Sequence, residues 1–198
     1  MSNSTPDAEL IARARAGDDR AFGALVERYE GAVAATVIGM LGPGDDAGDV
    51  GQETFIRFHR ALGNFRGQSS LKTYLVHIAM NLSLNALKRR RRSLMRFVSR
   101  DDEDEIANLP EPRLGPDGDF DAGELRVFVR AAVARLGEKQ RAVVVLRLFH
   151  EYSTRETADL LGLPDGTVLS RLSRAMKELE SQLRPYVRAG AALPEVSR

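Results

Sequence analysis

Ser153-Thr-Arg-Glu-Thr-Ala-Asp-Leu-Leu-Gly-Leu-Pro-Asp-Gly-Thr-Val-Leu-Ser-Arg-Leu-Ser-Arg-Ala-Met-Lys177 decides the fold of the C-terminal third of this chain. Ser153-Thr-Arg-Glu156 has the form of a capping box, in which a hydroxyl takes one free amide and a glutamate reaches back to another. The spacing predicts a short helix over Thr154–Leu161, ended by Gly162 in the C′ position. Pro164 and Asp165 then open a second helix. Ala158, small where two helices would cross, and Gly162 four residues on form the turn of a helix-turn-helix.

On a helical wheel from Thr167, one face holds Val168, Leu172, Ala175, Met176 and Leu179. The opposite face holds Thr167, Ser170, Arg171, Ser173, Arg174 and Lys177, and no acid precedes Glu178. An apolar back with a basic, hydroxyl-bearing front suits a helix that enters the major groove of DNA, with Ser153 and Thr154 at the start of the supporting helix. An amphipathic hairpin with a solvated basic face is the plainer alternative.

Charge is distributed unevenly along the chain, although the net charge is only +1. Residues 1–53 carry 10 acids and 4 bases, whereas residues 54–100 carry 11 bases and no acid. Residues 101–121 hold 9 acids against Arg113, and residues 122–198 return to 13 bases and 9 acids. A long stretch of purely positive charge is the footprint of a surface that meets phosphate. The acidic stretch also contains Pro110, Pro112, Gly115, Pro116 and Gly118, so residues 96–121 read as a flexible linker.

The linker divides the chain into an N-terminal domain at 1–95 and a C-terminal domain at 122–187, with a tail at 188–198. Both domains are expected to be helical, giving an all-α, two-domain fold. Phe22, Leu25, Val26 and Tyr29 fall at helical spacing, as do Leu71, Leu75, Ile78 and Leu82. Gly-Pro-Gly at 42–44 breaks the chain, and Asp45 or Asp46 is the expected N-cap of the next helix. Ala142–Phe149 favours a strand by propensity, but no second strand exists to pair with it, so it is expected to be helical.

Composition excludes several chemistries. The chain has 198 residues and no cysteine, so it has no disulfide framework, thiol nucleophile or zinc knuckle. Its three histidines (His59, His77 and His150) are scattered, and no metal or other cofactor is expected. Paired carboxylates, a phosphate loop and a nucleophile–base set are all missing, which makes an enzyme the weakest reading. The polar N-terminus does not resemble a signal peptide, and the uncharged stretch from Gly31 to Gly44 is too short to span a bilayer. A cytoplasmic protein without membrane insertion is expected.

Two further surfaces stand out in the N-terminal domain. Phe65-Arg-Gly-Gln-Ser-Ser70 reads as a loop, followed by a helix from about Ser70 to Arg92. Its apolar face is Leu71, Leu75, Ile78, Ala79, Leu82 and Ala86. Thr73, His77, Met80, Asn81, Leu84 and Lys88 are expected on the other side, with Tyr74 at the edge and the run Lys88-Arg-Arg-Arg-Arg92 at the end. A basic helix beside an aromatic residue and a glycine-bearing loop can hold phosphate and trap an unpaired base; core packing of Tyr74 is the alternative. The helix expected over Asp49–Leu62 gathers Asp49, Gln52, Glu53, Ile56, Arg57 and Arg60 on one arc. An acidic and amide cluster around an exposed isoleucine suits a docking surface, or else an ordinary solvated face. Gly48 and Gly51 weaken that helix, which implies either stabilisation by a partner or packing too close for a side chain.

In this order, the pieces resemble a bacterial RNA polymerase sigma factor of the extracytoplasmic-function (ECF, group IV) class. The similarity is carried by Phe22-Gly-Ala-Leu-Val-Glu-Arg-Tyr29, Asp46-Ala-Gly-Asp-Val-Gly-Gln-Glu-Thr-Phe55 and Phe65-Arg-Gly-Gln-Ser-Ser-Leu-Lys-Thr-Tyr74. It continues in Ile78-Ala-Met-Asn81, the Lys88–Arg92 run and Gly166-Thr-Val-Leu-Ser-Arg-Leu172. The resemblance implies that Asp49, Gln52, Glu53 and Ile56 dock on the β′ clamp helices of core RNA polymerase. It implies that Arg66, Gly67, Gln68, Ser69, Tyr74, His77, Asn81, Lys88 and Arg89 recognise and open the −10 element. By the same resemblance, Ser153, Thr154, Thr167, Ser170, Arg171, Ser173, Arg174 and Lys177 read the −35 element, and the β flap of polymerase and an anti-sigma factor are further partners. The linker would thread polymerase toward the RNA exit path, its acidic run at 101–105 mimicking a polyanion.

This chain departs from the family at four positions. Tyr74 stands where the family usually has tryptophan, and Met80 where it has a basic residue. Leu169 replaces a frequent lysine and Ser173 a frequent histidine. Two rivals remain at this stage: an autonomous helix-turn-helix regulator of duplex DNA, and an adaptor whose basic surface meets an acidic protein or RNA.

Overall fold

The computed structural model describes residues 5–97 and 122–188. All regular structure among them is helical, and no strand occurs among the described residues. The linker from residue 98 on, with its acidic run at 101–105, and the tail from residue 189 lie outside the described residues. The chain divides into two compact units, the division falling after Lys88.

The first unit is built on α1 (Asp7–Arg15), α2 (Asp19–Leu41), α3 (Asp45–Ala61) and α4 (Leu71–Phe97), the last of which runs on past the division from Arg89. Asp18 caps α2, its carboxylate accepting from the amides of Arg20 at 3.0 Å and Ala21 at 3.1 Å. The Arg13 guanidinium, 2.8 Å away, holds that carboxyl below its ordinary pKa. α2 ends at Gly42, whose φ of 83° suits a residue without a Cβ. α3 then starts from Gly44 with no side-chain cap. The expected capping role of Asp45 or Asp46 is therefore corrected: both sit inside the first turn, where their charge favours the positive end of the helix dipole.

α3 runs four residues further toward the N-terminus than expected, and a 3-10 turn, Leu62–Asn64, follows it. Ser70 precedes α4 and caps it, its hydroxyl accepting from the Thr73 amide at 3.1 Å. The core gathers Leu10 and Ile11 from α1, Leu25, Val33 and Val37 from α2, Val50 and Phe58 from α3, and Leu71, Leu75, Ala79 and Leu82 from α4. Each fully buried leucine or phenylalanine contributes about 1.5–3 kcal/mol relative to exposure. Phe58 sits at the centre, its ring 5.9 Å from Phe22 and 6.2 Å from both Phe65 and Tyr74.

The wheel of α4 needs one correction. Met80 is only 1 % exposed, although its spacing puts it on the outer side, and Val76 and Ser83 are fully buried beside it. The helix therefore buries a second row of side chains that a single apolar arc does not contain.

The second unit comprises α5 (Ala122–Arg135), α6 (Glu138–Val144), α7 (Thr154–Leu161) and α8 (Asp165–Arg188). α6 widens into a π-helical turn over Val145–Phe149, so the β-branched run is helical despite its propensity. Residues Ala142 to Leu146 are all at most 3 % exposed, and a helix buried all round has no amphipathic period to read. Arg141 ties α6 to the end of α5, donating to the carbonyls of Ala134 and Leu136, the latter at 2.9 Å. Burial lowers the pKa of this guanidinium.

Ala132, Val133 and Leu136 of α5 and Val144 of α6 pack with Ala175 and Leu179 of α8. Val143, Ala158 and Val168 form the second cluster, which fixes α7 across α8.

Candidate functional site

The helix-turn-helix is built from local chemistry. The Ser153 hydroxyl accepts from the Glu156 amide, and the Glu156 carboxylate accepts from the Ser153 amide, completing the capping box. Gly162 takes the left-handed conformation at φ 62°, and the Leu163 amide reaches back to the Ala158 carbonyl at 2.9 Å. That bond is the six-to-one closure of a Schellman turn. Ala158 is buried at 2 % exposure, which lets α7 lie close to Val168 of α8.

On α8, Ser170, Ser173, Arg174 and Lys177 are exposed, and Thr167 and Arg171 are half-buried. At the start of α7, Ser153 is exposed and Thr154 half-buried. No salt bridge among the described residues involves Arg171, Arg174 or Lys177, whereas Arg155 lies near both Asp159 and Asp165. The front of α8 is thus positive, hydroxylated and open to solvent. One residue of the expected back face is misplaced: Met176 lies at the edge of the apolar arc and is 45 % exposed. Leu169 is 55 % exposed.

In the first unit, Arg66, Gly67, Gln68 and Ser69 form an exposed loop that turns at Gly67, where φ is 67°. Tyr74, His77, Asn81 and Lys88 follow along one row of α4, with Arg89 beside them. His77, Asn81, Lys88 and Arg89 are exposed. Tyr74 is half-buried, with its ring 5.0 Å from Phe65, so it closes the aromatic cluster while keeping part of its surface toward solvent. Sequence reading missed Arg15. Its guanidinium crosses from α1 to donate to the Leu62 carbonyl at 2.9 Å and to the Phe65 carbonyl, fixing the entry to the loop. A partner 47 residues away leaves no trace in local spacing.

The third surface lies on α3. Asp49, Gln52 and Ile56 are exposed, and Glu53 is half-buried and bonded to Arg57 at 2.8 Å. The Arg57 guanidinium keeps the Glu53 carboxyl below its ordinary pKa. An apolar groove of about 470 Å³ runs beside this face between α2 and α3, lined by Val33, Val37, Ile38, Ala47 and Phe55 with Gln52 at its rim. Sequence reading missed the groove as well, because α2 buries residues on several sides and gives no single face to count. A Cβ at Gly48 would meet nothing within 4 Å, and one at Gly51 would meet only Val37 Cγ2 at 4.0 Å. Close packing within this domain is therefore not what the two glycines provide.

No group of three or more His, Asp or Glu side chains among the described residues is placed to hold a metal ion. No helix among them is long and apolar enough to cross a membrane.

Known proteins match both units. The sigma-70 region 2 family matches residues 25–93, and the sigma-70 region 4 family matches residues 129–179. The RNA polymerase sigma-H factor of Pseudomonas aeruginosa is 33 % identical over 191 residues, covering 95 % of this chain and 99 % of that protein. The ECF RNA polymerase sigma-E factor of Escherichia coli K12 is 34 % identical over 192 residues, covering 95 % of this chain and all of its own length.

This chain belongs to the ECF sigma factors.

As a sigma factor it binds core RNA polymerase and directs transcription initiation at promoters, within a family of transcription regulators. Solved structures share its fold. CnrH, determined in complex with the cytosolic domain of CnrY, is 29 % identical with a TM-score of 0.60, covering 90 % of this chain and 97 % of that one. The Bartonella quintana sigma factor RpoE, determined with the anti-sigma factor NepR, is 24 % identical with a TM-score of 0.64, covering 82 % and 96 %. The region 2 match begins inside α2, so α1 and its Arg15 lie before it.

Proposed function

We propose that this sigma factor divides its work among the three surfaces. The α3 face of Asp49, Gln52, Glu53 and Ile56 docks on the β′ clamp helices of core polymerase. The loop of Arg66, Gly67, Gln68 and Ser69, with Tyr74, His77, Asn81, Lys88 and Arg89, recognises the −10 element and holds its opened strand. The helix-turn-helix reads the −35 element through Ser153, Thr154, Thr167, Ser170, Arg171, Ser173, Arg174 and Lys177, and its domain meets the β flap. The working domains are 1–95 and 122–187, and the acidic segment 96–121 links them through polymerase.

The observation that carries this reading is the segregation of exposed chemistry. α3 presents acids and an amide around an isoleucine that is 44 % exposed, which suits a protein partner. The front of α8 presents hydroxyls and the cations Arg171, Arg174 and Lys177, which no salt bridge among the described residues involves, and this suits phosphate and base edges. Melting then needs no catalytic group of this chain. Unstacking a base costs a few kcal/mol, and binding the opened strand more tightly than the duplex offsets that cost. Polymerase is the enzyme, and the protein acts in the cytoplasm beside it.

A protein that covers the docking face holds the factor inactive. CnrH, determined in complex with the cytosolic domain of CnrY, supports a protein partner besides polymerase for this chain.

The α3 assignment is tested by reversing both charges, Asp49→Lys with Glu53→Lys. Core polymerase binding should be lost while the helix content is kept; unchanged affinity for core would refute the assignment.

A further inference from the structure

Among the described residues of α8, Leu169 is the most exposed large apolar side chain, at 55 %. Val168 and Ala175 of the same helix are fully buried and Leu179 is 7 % exposed, while Met176, two turns on, is 45 % exposed. Leu169 stands in the second turn of the helix, next to Ser170 and one turn before Ser173, both exposed. Recognition helices touch base edges with the residues of their N-terminal half. The major groove offers those residues hydrogen-bonding groups and one kind of apolar group, the C5 methyl of thymine.

We infer that Leu169 is a specificity-determining residue of this sigma factor, its side chain packing on the methyl group of a thymine in the −35 element. The inference rests on the proposed seating of α8 in that element. A leucine cannot hold a phosphate, so its exposure adds nothing to sequence-independent binding. What it can distinguish is a base pair with a methyl group from one without.

The surroundings favour duplex DNA over an apolar groove of a protein as its complement. Arg171, Arg174 and Lys177 share the helix, and no salt bridge among the described residues neutralises them. The Ser170 hydroxyl donates to the Thr167 carbonyl at 3.1 Å. Its exposed oxygen can still accept from an exocyclic amine, and the methyl contact falls to Leu169.

The test uses holoenzyme assembled from core polymerase and the full chain on a promoter that it transcribes. Each thymine of the −35 element is replaced in turn by deoxyuridine, which lacks only the methyl group. Wild-type holoenzyme should lose about fourfold in promoter affinity at one thymine, the effect of uncovering roughly one buried methyl. Leu169→Ala holoenzyme should bind the thymine promoter about fourfold more weakly and show no further loss with uracil at that position. Its circular dichroism should match wild type, because an exposed side chain has been removed.

Met176→Ala, two turns further along, should keep the wild-type response to uracil. The inference is overturned if no thymine methyl matters, if Leu169→Ala keeps the uracil penalty, or if Met176→Ala abolishes it equally. A holoenzyme indifferent to the whole −35 element overturns the seating of α8 itself, and the inference falls with it.

Discussion

Ser153 and Glu156 cap each other: the Glu156 amide donates to the Ser153 hydroxyl at 3.2 Å, and the Ser153 amide donates to the Glu156 carboxylate at 2.8 Å. Bonding from the Ser153 side chain, and then from its amide, holds the Glu156 carboxyl below its ordinary value of 4.5. A carboxyl depressed by folding contributes stability that is present above pH 4.5 and is lost as pH falls through the lower folded value. Ser153→Ala should raise the Glu156 titration midpoint toward 4.5, measured by carboxyl carbon NMR on the full chain. It should also lower stability by about 1 kcal/mol, as the loss of a serine N-cap does. An unmoved midpoint would show that the two residues are not coupled.

Gly48 lies inside α3 with open space around it. Glycine in a helix interior costs about 1 kcal/mol relative to alanine. Gly48→Ala should therefore raise the unfolding free energy of the free protein by about that amount, read from its denaturant midpoint at unchanged slope. A fall in stability would mean that the backbone at Gly48 is not free to carry a side chain. Gly51→Ala, with only Val37 at van der Waals distance, should gain in the same direction.

Arg15 positions the loop that precedes α4 without belonging to it. Arg15→Ala leaves the carbonyls of Leu62 and Phe65 without their shared donor. Hydrogen bonds to a charged donor contribute about 1.5–3 kcal/mol, less at an exposed site such as this. The expected outcome is weaker promoter opening, seen as reduced permanganate reactivity of unpaired thymines, with core polymerase binding unchanged. Arg15→Lys should restore opening in part, because an ammonium is a point charge and lacks the planar fork. Wild-type opening by Arg15→Ala would remove the residue from this role.

What the sequence made legible was local. The capping box and the Gly162 stop each involve residues within a few positions, so spacing alone locates them. The N-terminal helix is different. α1 is nine residues long and buries only Leu10 and Ile11. It is held by long-range bonds, the Arg15 fork and the contacts of Asp7 with Arg28 and Tyr29. Burial first, and then the hydrogen bond and charge of Asp7, push the Tyr29 pKa up to about 12.

Met80 and Met176 escaped for opposite reasons. α4 buries Val76, Met80 and Ser83 in addition to its expected face, so no single arc describes it. Met176 sits where an arc drawn on a wheel has an edge, and a wheel cannot say where burial stops. Tyr74 packs on Phe65 while remaining half-exposed, because its ring is large enough to reach the core from the rim.

The most direct test of the central claim is transcription of fragmented genomic DNA by core polymerase, with and without this protein, followed by mapping of RNA 5′ ends. The account predicts new start sites that share two upstream motifs at fixed spacing, with the more distal motif lost when Arg174→Ala replaces the wild-type chain. No new starts, together with no binding to core polymerase, would contradict it.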